Sequence, residues 1–242
     1  MRIDHLPFLM PQRPHSFVQQ WHHLSLLHWE VDPAPLIPYI PDGLELDLFE
    51  NKAYVSVIPF MMVVVRPRLA VSISGISTFP EFNIRTYVKH KGKAGVFFLT
   101  LDAQSRISCM YAPYFYGLPY RYAKGRLDIH GSSYSWMSKR VKGGQEIIGS
   151  CIGIGNTMLA KSDSLDEFLF ERSCLYTLLN NKLCIAYTHH NSWMFRKGKA
   201  DLIPNTLTES YDLEISDLLQ PDLVHVSEGV LVHTWSIEEV DE

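Results

Sequence analysis

Polar residues of chemically useful types alternate with apolar residues between positions 81 and 102. They are Glu81, Asn83, Arg85 and Asp102. Lys91 and Gly92 are typical of a tight turn between two β-strands, because glycine adopts a positive φ without steric cost. A two-residue turn pairs His90 with Lys93 and, counting outward, Glu81 with Asp102. All four polar side chains then share one face of a hairpin.

This arrangement predicts a pocket with binding and acid–base chemistry. An arginine can clamp a carboxylate or a carbonyl oxygen, and a glutamate whose pKa is raised by burial can act as general acid or base. Two opposed carboxylates repel unless an arginine or a shared proton intervenes, which suits a ligand pocket better than a wet surface. Two alternatives remain. The face is solvated, or Glu81 and Arg85 form a buried ion pair that only holds the hairpin.

The aromatic segment 113–124 is a second candidate. Its aromatic residues are Tyr114, Phe115, Tyr116, Tyr120 and Tyr122. In a strand, Tyr120 and Tyr122 share one face and Arg121 points the other way. These tyrosines either pack in a core or line a cavity, where the ring is apolar and the hydroxyl polar.

Other motifs give no support for a metal or a cofactor, and we expect neither. The adjacent pairs His22–His23 and His189–His190 each point to opposite faces of a strand. No His-Glu-x-x-His motif occurs, and the glycine-rich segment 149–155 matches neither a Walker nor a dinucleotide-binding pattern. The four cysteines have spacings that suit neither a zinc site nor a disulfide framework.

Composition limits the class of protein further. The chain has 242 residues, 46% of them hydrophobic, and a formal net charge of −4, which argues against a nucleic-acid binder. Its length suits one domain over 1–242. The longest apolar run, 60–65, is far shorter than the roughly 20 residues of a membrane helix. Residues 1–14 resemble no signal peptide, so we expect a soluble cytoplasmic protein without a membrane partner.

Short segments rich in β-branched and aromatic residues predict a mainly β fold of the α+β class with a few short helices. The predicted strands span 18–30, 53–64, 81–89, 95–102, 120–129, 133–141, 146–154, 182–190 and 229–237. Asp32 before Pro33 predicts a short helix, and the capping box of Ser164 and Glu167 predicts a helix over 164–180. A third short helix begins near Asn205.

Several motifs together resemble the DUF2071 (YqjF-like) family of uncharacterised proteins. They are LLHWEVDP (26–33), IPDGLELD (40–47), FPEFNIRTYV (79–88), LDA (101–103), YGLPY (116–120), ERxxLY (171–176) and the histidines at 189–190. The resemblance covers nearly the whole chain. The family name itself implies no activity.

The family in turn looks like a distant relative of acetoacetate decarboxylase. That resemblance implies an antiparallel β cone or barrel around an internal pocket, and it implies possible homo-oligomers. Glu81 falls where the decarboxylase has an active-site glutamate. Tyr120 falls at the lysine that forms the Schiff base there, and Arg121 at its neighbour. Because a phenol cannot form an imine and arginine keeps its proton, classical acetoacetate decarboxylation is not expected. Lys124 lies four residues after Tyr120, about 13 Å further along a strand, which is too far to replace the Schiff-base lysine.

The sequence therefore predicts a protein that binds a small carbonyl- or carboxylate-bearing molecule, with chemistry that needs no Schiff base. Glu81 and Tyr120 are the candidate catalytic residues. The candidate ligand-binding residues are Asn83, Arg85, Asp102 and Tyr122. The alternatives are a non-catalytic ligand-binding or sensor protein that has lost the Schiff-base lysine, and a protein-interaction module that uses the aromatic segment.

Overall fold

The computed structural model describes residues 8–73, 77–203 and 205–240 and is mainly β. The strands of this part of the chain are β1 (Phe17–Val31), β2 (Glu45–Leu46), β3 (Ala53–Pro67), β4 (Phe79–His90), β5 (Lys93–Ala103), β6 (Tyr120–His130), β7 (Ser133–Arg140), β8 (Glu146–Met158), β9 (Cys174–Leu179), β10 (Lys182–His189), β11 (Phe195–Ile203), β12 (Leu223–Thr234) and β13 (Glu238–Glu239). The helices are α1 (Pro33–Leu36), α2 (Arg106–Tyr116), α3 (Leu165–Phe170) and α4 (Thr206–Glu209). Residues 1–7, half of the segment judged unlike a signal peptide, lie outside the described residues.

All the strands belong to one strongly curved sheet. Its order is β13-β10-β9-β5-β6-β7-β8-β11-β12-β1-β3-β4-β2, and β4 also pairs with β5 and β10 with β12. These extra pairings return the sheet upon itself, so its form is cone-like. Neighbours run antiparallel except that β5 is parallel to both β6 and β9. The predicted mainly β class is confirmed.

Helix α3 begins where the sequence predicts and ends much earlier. The side chain of Ser164 accepts a hydrogen bond from the Glu167 backbone, as a capping box requires. The helix stops at Phe170, and β9 follows, paired with β5 and β10. The prediction of a helix to residue 180 was therefore wrong. Leucines 175, 178 and 179 fit the pattern of either element, and long-range strand pairing decides between them.

The other predicted elements occur with shifted ends. Asp32 caps α1 through a bond from the Ala34 backbone, and Asn205 caps α4. The nine predicted strands overlap β1, β3–β8, β10 and β12. Strands β9 and β11 and helix α2 were not predicted.

The β4–β5 hairpin has the predicted turn but not the predicted register throughout. His90 pairs with Lys93 and Arg85 with Phe98, as expected. Between Arg85 and Ile84 the register shifts, because Ile84 pairs with Thr100 and leaves Leu99 as an extra residue in β5. The Leu99 carbonyl accepts a hydrogen bond from the Tyr211 hydroxyl at 3.0 Å.

This bulge moves Asp102 to the opposite face of the sheet. Glu81 now pairs with Ala103, and Asp102 pairs with Phe82, whose side chain lies in a core cluster with Trp136. A one-residue shift of register reverses the face of every side chain beyond it. The prediction that Glu81 faces Asp102 was therefore wrong, and the two carboxylates do not meet.

Strand β4 is buried on both faces. The even-numbered Phe82 and Ile84 pack into one core cluster, while Tyr87 packs into the second. Glu81 and Arg85 are only 2% and 8% exposed. The solvated-face alternative is therefore excluded for this hairpin.

Asp102 is held by Arg140 at the end of β7. The Arg140 Nε lies 2.8 Å from Asp102 Oδ2, and Nη2 lies 2.8 Å from Oδ1, while the two side chains are 10% and 1% exposed. Thr100 donates to Asp102 Oδ1 and accepts from Arg140 Nη2. This network joins β5 to β7 across β6.

We expect Asp102→Ala to lower the free energy of unfolding by about 3–5 kcal/mol, because it leaves the Arg140 guanidinium buried without its carboxylate. Urea denaturation followed by circular dichroism measures the loss. The matched control is Asp128→Ala, which breaks an exposed pair with Arg126 and should cost less than about 1 kcal/mol. Equal losses in the two variants would contradict the assigned role of the Asp102–Arg140 pair.

Candidate active site

A cavity of about 170 Å³ lies inside the curved sheet and is covered on one side by α2. Strand β4 contributes Glu81 and Arg85, and β6 contributes Tyr120. Helix α2 contributes Tyr111 and Ala112, and most of the remaining wall is apolar or aromatic. The structure thus brings together three of the six predicted site residues in the wall of one cavity.

Glu81 and Tyr120 form a direct pair at one part of the wall. The Tyr120 hydroxyl donates to Glu81 Oε2 at 2.7 Å. The contact follows from the sheet, since β6 runs parallel to β5 and β5 pairs with β4. Phenol and carboxyl therefore meet across three adjacent strands.

Burial keeps both members of this pair protonated at neutral pH. It raises the pKa of Glu81 to about 8, and the hydrogen bond from Tyr120 opposes that shift only in part. Burial and the neighbouring Glu81 carboxyl raise the pKa of Tyr120 well above its ordinary value. A neutral carboxylic acid in a cavity wall can give a proton to a bound molecule and take it back.

Arg85 is a buried cation without a carboxylate partner among the described residues. Its Nη2 donates to the Leu169 carbonyl at 3.0 Å, and its Nε has no hydrogen-bond partner. The guanidinium carbon lies 5.5 Å from the centre of the Tyr87 ring. An unpaired charge in such surroundings is energetically costly.

Arg172, a second arginine of the wall, is already neutralised. Its Nη1 lies 2.6 Å from Asp47 Oδ2, and its Nε donates to the Phe168 carbonyl at 2.7 Å. Its guanidinium carbon lies 5.1 Å from the Tyr87 ring centre, so Tyr87 contacts both arginines. Of the two arginines that line the cavity, Arg85 is therefore the one that lacks a counter-ion. No ion pair joins Glu81 to Arg85, so the structural alternative for these two residues was wrong.

The other three predicted site residues do not line the cavity. Asn83 lies between Glu81 and Arg85 on the same face of β4, and its Oδ1 is buried without a partner. Asp102 is turned to the other face by the bulge. Tyr122 lies beneath Arg106, whose guanidinium carbon is 5.2 Å from the ring centre.

Some wall residues were not among the predicted site residues. Arg172 lies two residues after α3, where the sequence-based helix over 164–180 obscured it, and Trp193 lies between β10 and β11. Helix α2 had readable ends, because Ser105 caps its N-terminus and Gly117 ends it with φ +64°. Pro113, which lies inside the helix, argues against a helix in the sequence, so these two ends were not recognised. A side chain at Gly117 would also meet the Leu178 carbonyl.

Lysine and metal chemistry find no support in the described residues. Lys124 is exposed on β6 and does not line the cavity. No cluster of three or more histidine, cysteine, aspartate or glutamate side chains suits a metal ion in the described part of the chain. None of its helices is long and apolar enough to cross a membrane.

The same fold occurs in solved structures of low sequence identity. An acetoacetate decarboxylase from Legionella pneumophila matches with TM-score 0.65 and 15% identity over 98% of this chain and 93% of that chain. The enduracididine biosynthesis enzyme MppR, solved with pyruvate, matches with TM-score 0.61 and 12% identity over 92% and 88%. An acetoacetate decarboxylase-like enzyme from Sphingomonas wittichii RW1 matches with TM-score 0.63 and 11% identity over 98% of each chain. The chain therefore has an acetoacetate decarboxylase-like fold.

Sequence similarity defines the family more narrowly. The model of the DUF2071 family, described as an uncharacterized conserved protein, matches residues 18–231. The uncharacterized protein YqjF of Bacillus subtilis (strain 168) is 34% identical over 222 residues, which are 91% of each chain. This chain belongs to the DUF2071 family, as its motifs predicted.

The raised pKa of Glu81 makes stability depend on pH. The folded protein keeps a proton that the unfolded chain releases above the ordinary pKa of 4.5, so the free energy of unfolding falls as pH rises from 4.5 to about 8. Over this range, the free energy of unfolding of wild-type protein should fall by on the order of a few kcal/mol more than that of Glu81→Gln. Urea denaturation of both proteins at several pH values measures the difference.

The control for this prediction is Glu45→Gln, which changes an exposed carboxyl. Its stability should follow that of wild-type protein at every pH. A constant difference between wild-type protein and Glu81→Gln across the range would contradict the protonated state assigned to Glu81.

Proposed function

We propose that the protein binds a small carboxylate- or carbonyl-bearing molecule in this cavity and acts on it by acid–base chemistry without a Schiff base. The observation that carries the proposal is Arg85, a buried guanidinium in the cavity wall that has no carboxylate partner among the described residues. A ligand carboxylate would supply the missing charge and a charge-assisted hydrogen bond.

The Glu81–Tyr120 pair supplies the chemical groups. A carboxyl group with a pKa of about 8 is a donor at neutral pH and a base once it has given its proton away. The Tyr120 hydroxyl, held 2.7 Å from Glu81, stabilises the carboxylate that results. Together they can move a proton to and from a carbon or oxygen next to a carbonyl group.

The fold neighbours support a small oxo acid as the kind of ligand. Acetoacetate decarboxylase is named for a 3-oxo acid, and MppR was solved with pyruvate, a 2-oxo acid. In this chain Tyr120 pairs with Glu81 in the wall, and Lys124 is exposed. This chain would therefore bind a carboxylate and act on it by proton transfer, without forming an imine.

Pyruvate binding to Arg85→Met tests the proposal directly. We expect pyruvate to raise the melting temperature of wild-type protein, and the variant to bind about 10- to 100-fold more weakly because a charge-assisted pair is lost. Isothermal titration calorimetry measures the two Kd values. Arg126→Met, at an exposed arginine, should bind pyruvate like wild-type protein.

The ligand-free stability of the same variant separates a binding role from a structural one. A residue in a structural ion pair costs about 3–5 kcal/mol when it is removed. Because Arg85 has no such pair, Arg85→Met should lower the free energy of unfolding by far less than this. Unchanged pyruvate affinity, or a stability loss of the larger size, would rule out the assigned role. If turnover of an oxo acid is found, Glu81→Gln should lower kcat by about 10²–10⁴-fold with little change in Kd.

Borohydride trapping tests the exclusion of imine chemistry. Reduction in the presence of acetoacetate should leave the intact mass of the protein unchanged, because Tyr120 cannot form an imine and Lys124 lies outside the cavity. The measurement is intact-protein mass spectrometry, with a Schiff-base decarboxylase as positive control. A stable adduct on Lys124 would disprove this part of the proposal.

A further inference from the structure

We infer that the ligand is a monocarboxylic acid that carries an apolar body about the size of one benzene ring. This rests on the proposed function and narrows it to a substrate class. Its basis is the size of the cavity, the chemistry of its wall and the separation of its polar groups.

The volume of the cavity fits one ring. At about 170 Å³, it is close to an engineered apolar cavity of about 150 Å³ that binds benzene. A two- or three-carbon acid would leave much of this space unfilled. Apolar walls next to unfilled space lose contacts, which a larger ligand restores.

Most side chains that line the cavity are apolar or aromatic, and Asn83 lies on the same face of β4 but outside the lining. On β5, Phe98 lies opposite Arg85 and Leu101 lies opposite Asn83, and both line the cavity. Phe170 and Trp193, with ring centres 5.9 Å apart, form another part of the wall. Such surroundings favour an aromatic or alicyclic body over a hydroxylated one.

The charges of the wall indicate one carboxylate on the ligand. Arg85 lacks a counter-ion, whereas the charge of Arg172 is met by Asp47 at 2.6 Å. At the other end, the Glu81–Tyr120 pair is neutral and offers donors for an uncharged oxygen. A second carboxylate there would face a buried carboxyl group without a cation to balance it.

The residues at the two polar ends are widely spaced along β4. Four residues of strand separate Glu81 from Arg85, about 13 Å along the backbone. An acid whose carboxylate lies at Arg85 must extend along this line to contact the wall near Glu81 as well. A ring-sized body does so.

The test compares phenylpyruvate with pyruvate, which share the carboxylate and the oxo group and differ by the phenyl ring. Calorimetry should give a Kd at least about tenfold lower for phenylpyruvate, because burial of the ring removes apolar surface from water. Arg85→Met should weaken the binding of both acids. Succinate, a dicarboxylate, should bind more weakly than phenylpyruvate.

A variant that fills the cavity tests the position of the ring. Ala112 lines the cavity from α2, so Ala112→Phe should weaken phenylpyruvate about tenfold or more and leave the pyruvate Kd within about threefold. Met110→Phe is the matched control, since Met110 is 76% exposed on the same helix. Circular dichroism checks that each variant folds, and Ala112→Leu replaces Ala112→Phe if the larger side chain prevents folding.

The outcomes separate this inference from the proposed function. If pyruvate binds through Arg85 and phenylpyruvate binds no more tightly, the inference is wrong and the proposed function stands. Tighter binding of succinate than of phenylpyruvate would also overturn the inference. If neither oxo acid binds, both fail.

Discussion

The β-bulge at Leu99 determines how charge is distributed in this molecule. Without the extra residue, Glu81 and Asp102 would face each other on one side of the β4–β5 hairpin, and two buried carboxylates would repel. With it, Asp102 turns away and meets Arg140, while Glu81 remains in the cavity with Tyr120. One residue of register therefore places Asp102 in a buried ion pair and leaves Glu81 in the cavity wall.

The buried arginines of the described residues are of two kinds, those paired with an aspartate and one without such a partner. Arg140 and Arg172 are each neutralised by an aspartate of the same chain, and both contribute to holding strands or helices together. Arg85 lies between the cavity and the Leu169 carbonyl and has no such partner among the described residues. In a cavity with mostly apolar walls, that difference in pairing is the clearest chemical distinction between Arg85 and the other two arginines.

The sequence predicted the local part of this structure well. The turn at Lys91–Gly92, the alternation of side chains in β4 and the caps of α1 and α3 all depend on neighbouring residues, and all are present. The family motifs added the fold and the placement of Tyr120 beside Glu81. Of the six site residues chosen from the sequence, three line the cavity, namely Glu81, Arg85 and Tyr120.

What the sequence missed depends on partners distant in the chain. Thr100 and Asp102 lie on a buried face because Arg140 meets them there, and nothing near residue 102 signals that contact. Segment 174–179 became a strand because β5 and β10 offered pairing, although its leucines also suited a helix. Helix α2 formed despite Pro113, with Ser105 and Gly117 marking its ends.

Helix α2 also differs from the rest of the wall in how firmly it is held. None of its residues is buried, since its inner side faces the cavity and its outer side exposes Met110, Tyr114 and Phe115. Segments with few buried apolar contacts open locally at the smallest free-energy cost. The cavity thus deprives this helix of packing on its inner side, so these eleven residues open more readily than the buried strands of the wall.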